Sequence, residues 1–192
     1  RLTELTDHAQ SYLKTKWHFA LQADEVLHER SHRGLAECCA NRAASGFTVR
    51  RCNLYGDFDH MIGYDVPASR KPCGDAVMRL ALTGIPSYGD GESLAVPGHL
   101  VDGGFVDKIT IYHYGYVRED ASNIRRILDM QSWYHGTGSI PDGRVLIMDP
   151  SHFDWQKMTN LEDLRRVPLP HPKYAAEWVE FRKQLKRPVE EK

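Results

Sequence analysis

The chain has 192 residues, 41% hydrophobic and 27% charged, a balance that excludes a disordered chain and suits one domain with a sizeable core. Its 25 basic and 26 acidic side chains leave a formal net charge of −1, which gives no electrostatic footprint for nucleic acid or an anionic membrane. No apolar run reaches transmembrane length, and the polar opening RLTELTDHAQ is not a signal peptide.

The first residue is Arg1 rather than Met, as expected of a processed chain or one cut from a longer protein. Cys38, Cys39, Cys52 and Cys73 do not make a disulfide framework at this size, because a bond between the adjacent Cys38 and Cys39 would be strained. No C-x-x-C is present, so a cysteine zinc site has little support. Reduced thiols and a cytoplasmic location are the expectation.

In chain order, Leu5, Ala9, Tyr12 and Leu13 recur at helical spacing and predict a helix over 3–14, with Thr3 or Thr6 as cap. WHFAL (17–21) is a short apolar run that breaks off into polar and acidic residues, the pattern of a buried strand whose end opens into a site. A helix is predicted over 31–44, with Ser31 as N-cap, Leu35, Cys38 and Cys39 as apolar face, and Gly46 beyond its end. FTVRRCNLYG (47–56) reads as a strand, and DAVMRLAL (75–82) as helix or strand. DKITIYHYG (107–115) is a strong strand, with Ile109, Ile111 and His113 on one face.

Ile124, Ile127, Leu128 and Gln131 predict a helix over 120–135. Residues 137–170, rich in Pro, Gly and Asp, predict a surface wrap. A last helix over 173–185 is opened by Pro172 and closed before Pro188. Strands and helices alternate, so the class is α/β, in a single domain with 137–192 as a C-terminal loop and helix extension.

Two chemical signatures overlap in QADEVLHERSH (22–32). His28-Glu29-Arg30-Ser31-His32 satisfies the H-E-x-x-H pattern of zinc proteases, which needs both imidazoles on one continuous helical turn. Gly34 weakens that helix, and Ser31 fits better as a helix start than as an interior residue. The extended form of the pattern fails, since Leu35 and Cys38 stand at its Gly and third His positions. The competing reading takes Gln22-Ala23-Asp24-Glu25 as the acidic end of a strand. Carboxylates there would let a hard divalent cation bridge the protein to a nucleotide diphosphate.

The wider text favours the second reading. LQADEVLHE, a strand ending NLYGDFD, GIPSYGDGESL, ITIYHYGYVR, QSWYHG, FDW and HPKYAAEWV follow one another over residues 5 to 180. In that order they resemble family 2-like glycosyltransferases of the GT-A fold, in which a mixed sheet is flanked by helices. The resemblance implies a transferase that moves a sugar from a nucleotide-sugar donor to a glycan or other hydroxyl acceptor, by inversion, with Mn²⁺ or Mg²⁺ as cofactor. The near-neutral charge and the lack of a long apolar run, independently of the resemblance, predict no nucleic-acid partner and no transmembrane segment.

Carried over position by position, Asp24 matches the final acidic residue of the family's D-x-D motif and becomes the leading metal and donor ligand. Gln22 stands where the first Asp usually is, bringing an amide without charge. His113 would complete the metal site, or touch the diphosphate. Arg118 would neutralise phosphate charge on the donor. Asp90 or Glu25 would take the acceptor proton as general base. His135, Gly136, His171 and Pro172 match recurring features without assigned chemistry. The family's first strand and helix, which hold the base, lie upstream of where this chain starts, so the N-terminal part of the fold is expected to be incomplete. Gln22 and that missing segment also suit an alternative, a non-catalytic relative that binds glycan or protein.

Overall fold

The computed structural model describes residues 2–62, 75–88, 91, 93–117, 164–167 and 169–185. The helix predicted over 120–135 and most of the wrap over 137–170 lie outside them. So do Asp90, Arg118 and Cys73. Three helices, α1 (Leu2–Gln10), α2 (His32–Ala40) and α3 (Lys173–Leu185), accompany a curled mixed sheet among the described residues. The α/β class therefore holds. No helix among these residues is long and apolar enough to cross a membrane.

The sheet is built on β3 (Gly46–Tyr55) and the long β8 (Asp102–Tyr116), which pair in parallel. β5 (Asp75–Leu82) pairs antiparallel with the first part of β3, through Arg51, and β1 (Trp17–Phe19) closes that edge. β2 (Glu25–Leu27) closes the other edge, antiparallel to β8. Past the end of β5, β4 (His60–Ile62) pairs with β3 at Leu54 and carries β9 (Leu164–Arg166). A separate pair, β6 (Ser87–Tyr88) and β7 (Ser93–Leu94), sits beside β5. DAVMRLAL thus resolves as strand, with Val77 to Ala81 buried in succession, as an interior strand covered on both faces requires.

One expectation is corrected. Residues 17–25 do not form a single strand ending in acid: β1 stops at Phe19, and β2 begins at Glu25 on the opposite edge of the sheet. Residues 20–24 carry the chain from one edge to the other.

Cys38, Phe47, Val49, Val77, Leu80, Ile109 and Ile111 make one apolar cluster, joined by Trp17, Leu27 and Leu35. Each large apolar side chain buried there contributes about 1.5–3 kcal/mol. α2 lies close on β8 because Gly34 has no side chain: a Cβ there would sit 3.1 Å from Ile109 and 3.2 Å from the Lys108 Cβ. Ser31 precedes α2 but does not cap it through its hydroxyl. Its Oγ instead accepts from the Thr110 amide at 3.0 Å, tying the helix start to β8. α1 is held mainly by polar bonds: Asp7 accepts from the Ser87 amide, and Gln10 bonds Ile85 O and Gly84 N. Leu5, Tyr12 and Leu13 of the predicted apolar face stay exposed.

A second cluster joins Leu54, Phe58, Tyr112, Tyr114 and Val117 to Ala175 and Val179 of α3. The Tyr114 hydroxyl lies 2.9 Å from His171 Nδ1, and the Tyr112 hydroxyl donates to Leu169 O at 3.0 Å. Burial pushes the Tyr114 phenol up and the His171 imidazole down.

Burial also lowers His18, so two imidazoles resist protonation in the fold that accept it when unfolded. The unfolded chain then binds more protons below the ordinary imidazole value of 6.5, and stability is fully present above that pH and lost as pH falls below it. Urea midpoints measured at pH 8 and pH 5.5 should show a lower value at the acidic pH, and a flat profile would contradict the assignment.

Candidate functional site

The site grows from the turn between the two edge strands. The Glu25 amide donates to Gln22 O at 3.0 Å, and the Gln22 amide donates to Glu25 Oε2 at 2.9 Å, closing residues 22–25 at both ends. Ala23 and Asp24 are the two central residues of this turn. The Tyr114 amide donates to Asp24 O at 2.8 Å, which pins the turn to β8.

Glu25 is the anchor. Its side chain is fully buried, and Oε1 accepts from Arg79 Nη2 at 2.6 Å with Arg51 Nη1 at 3.6 Å. With Oε2 taken by the Gln22 amide, its oxygens are committed to two guanidinium groups and a backbone N–H. A general base needs a lone pair that can reach substrate, and Glu25 offers none. It is a structural ion instead.

Asp24 is the more accessible carboxylate of the pair, half-buried with its side chain 26% accessible. Its Oδ2 lies 3.4 Å from Nε2 of His113, which is itself almost fully buried. His113 is the cross-strand partner of both Glu25 on β2 and Asn53 on β3. Its Nδ1 sits 2.8 Å from Asn53 Oδ1, and its ring meets Tyr116 edge-on at 5.3 Å. The structure therefore brings Gln22, Asp24, Glu25 and His113 together. Residues absent from the sequence reading complete the arrangement: Asn53, Arg51 and Arg79. Their signal was polarity in the middle of apolar strands, where β propensity and burial both disfavour it.

Gln22 also borders a cavity of about 480 Å³ that reaches α1, lined among others by Leu5, Ala9, His18, Phe19 and Arg79. Among the described residues, no group of three or more His, Cys, Asp and Glu side chains could hold a metal ion. Any ion at Asp24 and His113 would take its other ligands from water and substrate.

HERSH does not form a protease helix. His28 is extended, with φ −70° and ψ 135°, and its Nδ1 accepts from the Arg30 amide, whereas His32 opens α2 at the surface. Glu29 accepts from the Lys173 amide at 3.1 Å and so caps α3. Its own backbone N–H, with that of Lys173 as a smaller contribution, holds Glu29 below its ordinary value.

No family model, curated protein or solved structure matches the chain.

Replacing Glu25 by Ala would leave two buried guanidinium groups without their shared anion, a loss of about 3–5 kcal/mol for a broken buried pair. Urea unfolding of Glu25→Ala should show a fall of that order, and a variant within about 1 kcal/mol of the parent would remove Glu25 as the anchor.

Proposed function

We propose that this chain carries the metal- and diphosphate-binding part of a GT-A-like glycosyltransferase. The observation that supports the reading is the pairing of Asp24 Oδ2 with His113 Nε2 at 3.4 Å on the sheet edge. A carboxylate oxygen and an imidazole nitrogen form a donor set that suits Mn²⁺ better than Mg²⁺, because imidazole is a poor ligand for the harder ion. Two protein ligands are enough where diphosphate oxygens and waters fill the remaining positions.

When bound, the ion supplies positive charge to the oxygens of the departing diphosphate. The chain's own residues do the rest. Glu25 and its arginines hold the 22–25 turn, so that Asp24 is presented without reorganisation. Gln22 faces the donor beside it and contributes amide hydrogen bonds rather than charge. Arg118 balances phosphate charge. In an inverting transfer the acceptor oxygen bonds the anomeric carbon, the bond from that carbon to the diphosphate breaks, and the acceptor proton passes to a base. With Glu25 committed to its arginines, that base is Asp90.

A non-catalytic relative that binds glycan or protein is the second reading, and Gln22 at a position usually carboxylate favours it. Mn²⁺ titrated into the chain with uridine or guanosine diphosphate, followed by loss of the free-ion electron paramagnetic resonance signal, separates the two. The transferase reading expects one bound ion per chain, tightened by diphosphate and weakened at least about tenfold in Asp24→Ala and in His113→Ala. No binding by the parent chain would favour the second reading. Unchanged binding in both variants would remove the proposed ligands.

A further inference from the structure

Asn53 lies near the C-terminal end of β3, 2% exposed, in a secondary structure that asparagine disfavours. Its side chain meets the ring of His113, its partner across the parallel pair. We infer that Asn53 is a positioning residue: its side-chain oxygen holds His113 in the Nδ1–H tautomer and leaves the Nε2 lone pair beside Asp24. The role toward a cation rests on the transferase reading, whereas the tautomer does not.

The two distances decide which nitrogen carries the proton. A neutral imidazole has one N–H and one lone pair, and His113 is buried, so protein contacts rather than water choose between the forms. Nδ1 to Asn53 Oδ1 is 2.8 Å, at the short end of good N–H···O bonds. Nε2 to Asp24 Oδ2 is 3.4 Å, too long for a good one. With the proton on Nε2, two lone pairs would face each other across the shorter gap, and the longer gap would hold the only bond. With the proton on Nδ1, the short contact is a hydrogen bond and the long one is a gap between two donors of electron pairs, which a cation can share. Metal-ligating histidines are commonly fixed in this manner by a partner behind the ring.

The test reads the proton directly. Long-range ¹H–¹⁵N correlation spectra of the labelled chain, without metal and at about pH 9 where imidazole is neutral, should show His113 with a protonated Nδ1 and a bare Nε2. Resonances are assigned by their loss in His113→Gln. Asn53→Leu should lose the tautomer preference, and Asn53→Asp, which keeps an acceptor oxygen, should retain it. In the Mn²⁺ titration with diphosphate, Asn53→Leu should weaken binding about 10–100-fold while Asn53→Asp does not.

A proton on Nε2 in the parent chain would place the Asn53 amide nitrogen against Nδ1 and overturn the inference, whether or not the variants fold. An unchanged tautomer in a folded Asn53→Leu would overturn it too. The predicted tautomer in a chain that binds no Mn²⁺ would leave Asn53 as the residue that orients His113 and remove the metal reading alone.

Discussion

One buried carboxylate organises this molecule. Glu25 gathers Arg79 from β5, Arg51 from β3 and the Gln22 amide from its own turn, so one edge strand and two interior strands of the sheet meet on two oxygen atoms. Removing these charges from water costs several kcal/mol per ion, and apolar residues of equal volume would often be as stable. What the ions supply beyond stability is position. Apolar contacts are non-directional, whereas a guanidinium–carboxylate contact at 2.6 Å fixes where the turn sits. Asp24 owes its place on the sheet edge to its neighbour's burial.

The second fixed point comes from β8. Its fifteen residues include ITIYHYGY, where consecutive side chains serve different ends. Tyr112 and Tyr114 enter the aromatic layer under α3, while His113, between them, meets Asn53 and Asp24. Strand alternation alone accounts for this division: a period of two sends His113 one way and its neighbours the other. The same strand therefore joins the packing of the C-terminal helix to the polar turn.

Much of this was legible locally. The last helix was read with its boundaries, because Pro172 and Pro188 punctuate it, and β3 and β8 were read from dense β-branched and aromatic residues. The limit lay in pairing. WHFALQADE reads as one strand because nothing local says that β1 joins β5 while β2 joins β8, on opposite edges. Glu25 looked like a free acid because its partner Arg79 lies 54 residues away. Gly34 looked like a flaw in a helix, since the strand it must approach lies far along the chain. From the sequence, only the family resemblance joins Asp24 to His113, and no motif contains Asn53.

The cap on α3 has a consequence for the order of assembly. Glu29, four residues beyond Glu25, accepts from Lys173 across 144 positions of chain. During synthesis from the N-terminus, the segment that follows the polar turn emerges first and then waits for a helix that begins 144 residues later. Loop closure over such a span is entropically costly and is late by nature. Until the ribosome has delivered residue 173, Glu29 has no helix to meet, and a nascent chain halted before it would carry the turn with one of its outer moorings still unmade.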